Sequence, residues 1–438
     1  MQKIRYTLLA VLAMLVGIAP LRAQEGSLNA FSPYTFYGVG NLSTSNGASF
    51  DGMAGVGVAF RSYMKTNLVN PAAFSSASRN SMVMEVGITG SNVYSRQYDA
   101  AGNKLKSSDN SFNFSNVSVM LPLVPKLGLG FSAKPYSSVG YKTRRYDNSE
   151  DVIADLGSVL YEYMGEGNIT QMKLGLGWEP VKNLSIGAEA VFYHGIIERN
   201  YSATIESFVG NGQYGSLNAS STERLNRFSG NFGVQWNILS SEKHRLTMGA
   251  TYNLGCRLKS QSVDYIPSGN VFGDSVRFET PSSRFRLPQG VSAGLFYHRE
   301  TWGVGVDYEW WNWGVNSYDA ANDVAYRDTH TIRVGALYTP SRFDVRNPLK
   351  RFTYKAGFRY GDSYIVKNGC HMSEKAVSVG VEIPFKTMKV SNLNLAVEYC
   401  WRGTLQHNLI KENYVKVAIG VLFFGSDFDY WFVKKKFK

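Results

Sequence analysis

From Met82 to Phe423 the chain alternates apolar and polar residues in short stretches, and the gaps between stretches are alternately short and long. Val377-Ser378-Val379-Gly380-Val381-Glu382-Ile383 and Leu393-Asn394-Leu395-Ala396-Val397-Glu398-Tyr399 show the pattern. A period of two puts one face of each strand in an apolar environment. In water such a sheet needs a second layer over that face. In a bilayer the lipid covers it, and closure of the sheet satisfies every backbone polar group. The pattern predicts an all-β protein, an antiparallel transmembrane β-barrel.

Fourteen segments carry the alternation: 81–97, 110–121, 126–146, 167–178, 184–203, 227–239, 245–262, 284–297, 302–314, 328–339, 352–364, 374–384, 392–404 and 412–424. An even number suits a bacterial single-chain barrel. The connections Pro122–Pro125, Glu179–Asn183, Ser240–His244 and His298–Thr301 are tight, whereas those after the first, third, fifth, seventh and ninth segments are longer. Short turns belong in the periplasm, so the long loops are expected outside the cell and both chain ends in the periplasm. Pro340–Arg351 is expected as a longer periplasmic turn.

Residues 1–23 combine Lys3 and Arg5, an apolar run from Leu8 to Pro20, and Leu21-Arg22-Ala23. They read as a secretory signal peptide, because the apolar core is shorter than the ~20 residues of a membrane helix. The address is the outer membrane of a Gram-negative cell, with its lipid and lipopolysaccharide as surroundings. Loss of Lys3, Arg5 and Arg22 lowers the formal charge from +12 to 12 − 3 = +9. The Lys and Arg residues are scattered, with no basic stripe interleaved with aromatics, so no nucleic-acid partner is expected. Aromatic residues make up 14% of the chain and suit the two interfacial girdles of a barrel.

Cys256, Cys370 and Cys400 lack metal-ligand spacing, and three cysteines cannot all pair within one chain, which leaves their disulfide status open. Six histidines, His194, His244, His298, His330, His371 and His407, sit at strand ends, turns and loops. No His-Glu-x-x-His, Gly-x-Ser-x-Gly or phosphate-cradling loop accompanies them. Neither an enzyme nor a cofactor or metal site is expected.

Residues 24–80 lack the alternation, are rich in Gly, Ser and Asn, and contain Asn70-Pro71-Ala72-Ala73. They are expected to form an N-terminal plug, or hatch, inside a barrel of residues 81–424, with 425–438 as a periplasmic tail. The wall supports this. When the apolar set of each strand faces lipid, the other set holds Gly128, Gly130, Gly175, Gly177, Gly187, Gly249, Gly294, Gly303, Gly305, Gly335, Gly357, Gly380 and Gly420. A wall without side chains leaves room for a segment against it, although glycine also lets strands coil sharply. The same inner set carries Lys173, Glu189, Asp307, Glu309, Arg333, Lys355, Arg359, Glu382, Glu398, Arg402 and Lys416. Opposite charges in a confined lumen pair with each other or with a plug, which disfavours an open, charge-selective porin.

Two local features stand out. Lys134-Pro135-Tyr136 interrupts the third segment, and a proline there marks a bulge, a local opening of the wall, or a position beyond the membrane edge. In the outer loop Glu150–Glu166, residues Val152, Leu156, Val159, Leu160 and Tyr163 recur at helical spacing. A short amphipathic helix there would greet a ligand, rest on a neighbouring loop or dock a protein. The other outer loops, Glu206–Leu225 and Val263–Ser283, are mostly polar.

Met53 to Ala59 (Met-Ala-Gly-Val-Gly-Val-Ala), Asn70-Pro71-Ala72, Leu127-Gly-Leu-Gly-Phe131 and Leu287-Pro288-Gln289-Gly290-Val291-Ser292-Ala293-Gly294 together resemble the FadL family of outer-membrane channels for hydrophobic compounds. Ser32-Pro33-Tyr34-Thr35-Phe36-Tyr37-Gly38 and the ending Tyr430-Trp431-Phe432-Val433-Lys434-Lys435-Lys436-Phe437 are similar to a less well understood subgroup. The resemblance implies a 14-stranded barrel with an N-terminal hatch. It also implies passive uptake of a small hydrophobic, long-chain fatty-acid-like ligand, gated at Asn70, Pro71 and Ala72. Capture would involve Leu156 and Leu160, and exit would be sideways through the wall at Lys134, Pro135 and Tyr136. The alternative within the same resemblance is a barrel that transports nothing and serves an outer-membrane machine, as a type IX secretion shuttle-like subunit or a barrel-assembly accessory. It would bind an outer-membrane or periplasmic protein partner, and the basic turn Pro340–Arg351 is compatible with that.

Overall fold

Each alternating segment forms a long strand, because two neighbours offer a ladder partner for every backbone group. The computed structural model describes residues 32–78, 82–98, 102–147, 149, 158–206, 217–258, 260–267, 275–280, 285–316, 318, 323–344, 346–385 and 391–424. The expected signal peptide and C-terminal tail lie outside these residues. Among the described residues the wall consists of β1 (Val83–Tyr98), β2 (Lys104–Val124), β3 (Leu127–Asp147), β4 (Ser158–Val181), β5 (Leu184–Glu206), β6 (Leu217–Ser240) and β7 (His244–Asn253). It continues with β8 (Gly290–Arg299), β9 (Trp302–Trp311), β10 (Thr329–Tyr338), β11 (Thr353–Lys367), β12 (Cys370–Pro384), β13 (Ser391–Arg402) and β14 (Lys411–Phe424). Every neighbouring pair is antiparallel, and β1 closes on β14 from Val83↔Phe424 to Arg96↔Lys411. The fold is a closed 14-stranded antiparallel barrel, as the alternation predicts.

Large apolar side chains on one face of each strand are exposed, among them Leu174, Leu176, Val304, Val306, Val377, Val379, Val417 and Ile419. This is the band that lipid covers. The tight turns lie at one end, where Lys126 (φ 68°) and Asn183 (φ 73°) take the left-handed conformation that two-residue hairpins require. Toward the other end the wall is uneven. β4 and β6 have 24 residues each, whereas β9 and β10 have 10 each; β7 and β8, also of 10, are continued by Ser260–Pro267, which pairs with the upper part of β6, and by Ser275–Thr280, which pairs with Ser260–Pro267. About 9–11 residues cross a membrane, so β2 to β6 project well beyond the bilayer.

That projection corrects the expected helix at Glu150–Glu166. Residues 150–157, including Leu156, lie outside the described residues, and from Ser158 onward the chain is strand β4. Leu160 pairs with Tyr146 of β3 and Thr204 of β5. The apolar spacing of Val159, Leu160 and Tyr163 fits a helix. Strand wins because tall neighbours on both sides supply backbone partners that an isolated helical turn lacks.

Candidate functional site in the barrel lumen

Residues 47–77 run round the inside of the wall, over the inward glycines. A side chain at Gly380 would meet the Gly52 Cα at 2.9 Å, one at Gly335 the Met53 carbonyl at 2.7 Å, and one at Gly177 the Ser75 amide at 2.8 Å. Gly420 faces Ala48, Gly249 faces Val58, Gly233 faces Asn70 and Gly128 faces Phe74. The segment therefore visits β14, β12, β10, β7, β6, β4 and β3. Backbone lies where side chains would be, which is the close approach that glycine alone permits.

Asn70, Pro71 and Ala72 form one anchor. Asn70 is fully buried and caps the short helix Pro71–Ser76, its Oδ1 accepting from the Ala72 amide at 3.1 Å. Its Nδ2 donates to the Val58 carbonyl at 2.8 Å and to the β6 carbonyl of Val234 at 3.1 Å. Pro71 fits the first helical position because it has no amide to leave unpaired. Asn67 completes the knot, donating to Gly57 O and Phe60 O and accepting from the amides of Val69 and Asn70. Asp307 of β9 accepts from the Gly57 and Val58 amides at 2.7 and 3.0 Å.

The inner charges pair as opposite signs in a low-dielectric lumen must. Lys355 reaches Glu382 at 2.9 Å, and Lys65 of the N-terminal segment reaches the same carboxylate at 2.5 Å. Arg359 bridges Glu374 and Glu398 at 2.7 and 3.0 Å, Arg402 meets Glu412 at 2.5 Å, and Arg333 pairs with Glu309. Lys173 lies 3.6 Å from Glu189 and Lys416 lies 3.7 Å from Asp51. At the tight-turn end Arg61 binds Glu179 at 2.6 Å. Burial lowers the Arg61 pKa, and the Glu179 carboxylate opposes that shift. Nearer the tall end, residues 34–42 enter an aromatic and aliphatic cluster with Tyr141, Tyr193, Trp313, Tyr364 and Met372. Tyr34 is pushed up to about 12 by burial, and its hydroxyl donates to the Ile410 carbonyl at 2.6 Å.

Lys134, Pro135 and Tyr136 sit where the wall parts. The β2–β3 ladder spans Val117↔Ala133 to Val124↔Leu127 and stops there, and β3 bulges at Tyr136 against β4. Beyond Ala133, Asn41 and Leu42 of the N-terminal segment take the place of β2, pairing with Ser138 and Ser137. Lys134 Nζ donates to the Ser45 carbonyl at 2.9 Å, and the Tyr136 ring lies 5.0 Å from Tyr193. Two cavities flank this seam. One of about 210 Å³ is lined by Lys134, Lys173, Glu309, Arg333, Trp313 and Tyr364 among others, and one of about 340 Å³ by Phe112, Phe114, Pro135, Thr170 and Lys416 among others. Both linings mix charged and apolar groups.

The structure thus brings two of the expected constellations to the N-terminal segment, the Asn70 anchor and the Pro135 bulge. Leu160 stands apart in the projecting wall. Asn67 was not foreseen because its partners lie in its own irregular segment, and the pairing of Asn41 and Leu42 with β3 was not foreseen because closure of the barrel sets it. All three cysteines are free thiols. No group of His, Cys, Asp and Glu among the described residues has the geometry of a metal site.

A family model described as BamG matches residues 3–438. No curated protein matches the sequence. Among solved structures, the deltaS2S3 mutant of the monoaromatic hydrocarbon channel TodX is 17% identical, with a TM-score of 0.59 over 86% of this chain and 98% of that one. The toluene transporter TodX of Pseudomonas putida is 17% identical (TM-score 0.54; 90% and 100% covered), and a FadL homologue of Pseudomonas aeruginosa is 14% identical (0.51; 88% and 98%). The fold is that of outer-membrane channels for hydrophobic compounds, the architecture that the resemblance implies.

Proposed function

The chain belongs to the BamG family, and from that premise we propose that it is a sealed outer-membrane barrel working as a subunit of a protein machine, with barrel assembly as the machine's task. The observation that carries this reading is the N-terminal segment itself. It follows the inner wall from Gly420 to Gly128, is tied to it by buried amides and ion pairs, and is topped by the Tyr34 cluster. A transporter of hydrophobic molecules needs a continuous apolar path, and here Lys134, Glu309 and Arg333 interrupt it. Polar and charged groups against a hydrocarbon ligand cost free energy unless water stays with them.

The seam favours a second reading, passive uptake of a small hydrophobic molecule past the hatch and out sideways at Pro135. Its support is the missing β2–β3 ladder beyond Ala133 and the cavity of about 340 Å³ beside it, at the small end of ligand pockets. Native extraction in mild detergent, followed by mass spectrometry, separates the two. A stoichiometric protein partner with an empty lumen is expected. A lipid-like molecule in the barrel and no protein partner would overturn the machine-subunit reading in favour of uptake.

A further inference from the structure

The connection between β10 and β11, expected in the periplasm, departs from the tight-turn pattern, and it is built rather than slack. Asp344 Oδ1 accepts from the amides of Arg346 and Asn347, both at 2.9 Å. Asn347 caps the short helix Pro348–Arg351, and Ser341 donates to the Lys350 carbonyl at 2.8 Å. This frame displays an apolar and a basic set side by side. Phe343 is 87% exposed and Leu349 is 57% exposed, while Arg342, Arg346, Lys350 and Arg351 against Asp344 give 4 − 1 = +3 over 341–352.

The barrel fixes where this frame sits. Tyr354 faces outward with Phe358 and Tyr360, pairs across the ladder with Tyr338, which is also exposed, and donates its hydroxyl to the Leu349 carbonyl at 3.1 Å. Leu349 is thereby held at the rim of the lipid-facing band, level with the aromatic girdle where head groups lie. Arg351 Nε is shielded from solvent and has no acceptor among the described residues.

We propose that Phe343, Arg346, Leu349, Lys350 and Arg351 form a binding site for an anionic phospholipid of the periplasmic leaflet, whereas Arg342 turns to the N-terminal segment, its Nη2 donating to Met64 Sδ at 2.6 Å. Phe343 and Leu349 enter the acyl boundary, and the cations take the head-group phosphate. Guanidinium groups match phosphate oxygens in charge and geometry, and an exposed phenyl ring beside them suits the membrane interface better than water. The site stands independently of what the lumen does.

The test uses the full-length protein in mixed detergent micelles containing phosphatidylglycerol and phosphatidylcholine, read by native mass spectrometry. The parent is expected to retain phosphatidylglycerol preferentially. R346A/K350A/R351A is expected to lose about fivefold of that preference per cation removed at low salt, whereas R346K/K350R/R351K keeps most of it. Because these side chains lie outside the barrel wall, the heat-modifiable mobility of the folded barrel should not change. Equal retention of the two lipids, or an unchanged preference in the alanine variant, overturns the proposal. So does a photo-crosslinker at position 343 that captures a protein instead of lipid in intact cells.

Discussion

At the scale of single residues, the lumen is governed by what cannot be added and what cannot be left unpaired. Gly380 and Gly335 face the backbone of Gly52 and Met53 within 3 Å of any added carbon, so Gly380→Val or Gly335→Val must push the N-terminal segment off the wall. Gly90→Ala has only ordinary contacts, the nearest at 3.8 Å. Proteolysis of the native protein is expected to cut near Arg61 in the first two variants and not in the third. Equal resistance in all three would mean that the wall tolerates the added bulk. Asn70→Ala removes the cap and leaves the Val58 and Val234 carbonyls without that donor. A lost cap and buried polar groups left unmatched cost about 2–4 kcal/mol together. Faster amide exchange in residues 57–73 on an unaltered barrel is the expected signature. Sequence exposed the glycines and Asn70 through spacing and type, but it hid Asn67, whose four partners lie within its own irregular segment.

At the scale of elements, β3 decides how the wall meets its contents. It keeps β2 only up to Ala133, bulges at Tyr136 and then pairs with Asn41 and Leu42. Deleting residues 32–43 should widen the seam without emptying the lumen, because the ring of residues 47–77 is anchored separately. Single-channel conductance is expected to stay low in this variant. A large open conductance would show that the 32–43 strip is itself the seal. The turn between β10 and β11 has its own pH signature. Hydrogen bonds from the Asn347 and Arg346 amides hold the Asp344 carboxyl below its ordinary value. The order it supplies is therefore complete above the usual carboxylate pKa of about 3.9 and lost only as pH falls through the lowered one. Exchange protection of those two amides should persist at mildly acidic pH in the parent and be absent in Asp344→Ala, which removes the acceptor. From Ser158 onward the helix expected over Glu150–Glu166 gives way to strand, since the spacing of Val159, Leu160 and Tyr163 also suits a strand when tall neighbours are present.

At the scale of the whole molecule, the barrel is asymmetric, with β2 to β6 and the Ser260–Pro267 and Ser275–Thr280 strands beside them standing above β9 and β10. The proposed orientation puts this tall side outside the cell and the Arg342–Arg351 frame in the periplasm. With Cys256, Cys370 and Cys400 replaced by serine, a membrane-impermeant thiol reagent applied to intact cells should then label Lys106→Cys, on the exposed reach of β2, and spare Arg346→Cys. The reverse pattern would invert the topology and move the proposed lipid site to the opposite leaflet.

Alternation, turn spacing and the inward glycines lay open in the sequence because they follow from period-two geometry: lipid on one face, a crowded interior on the other. Strand number, strand order, the presence of a segment against the wall and the pairing of inner charges were all within reach of that argument. Tertiary structure alone decided which partners met. The path of residues 47–77 from strand to strand, the parting of β2 from β3, the handover of β3 to Asn41 and Leu42, and the placing of Leu349 at the lipid rim depend on contacts between residues up to several hundred positions apart. Local composition carries no record of such contacts, because closure of the barrel creates them.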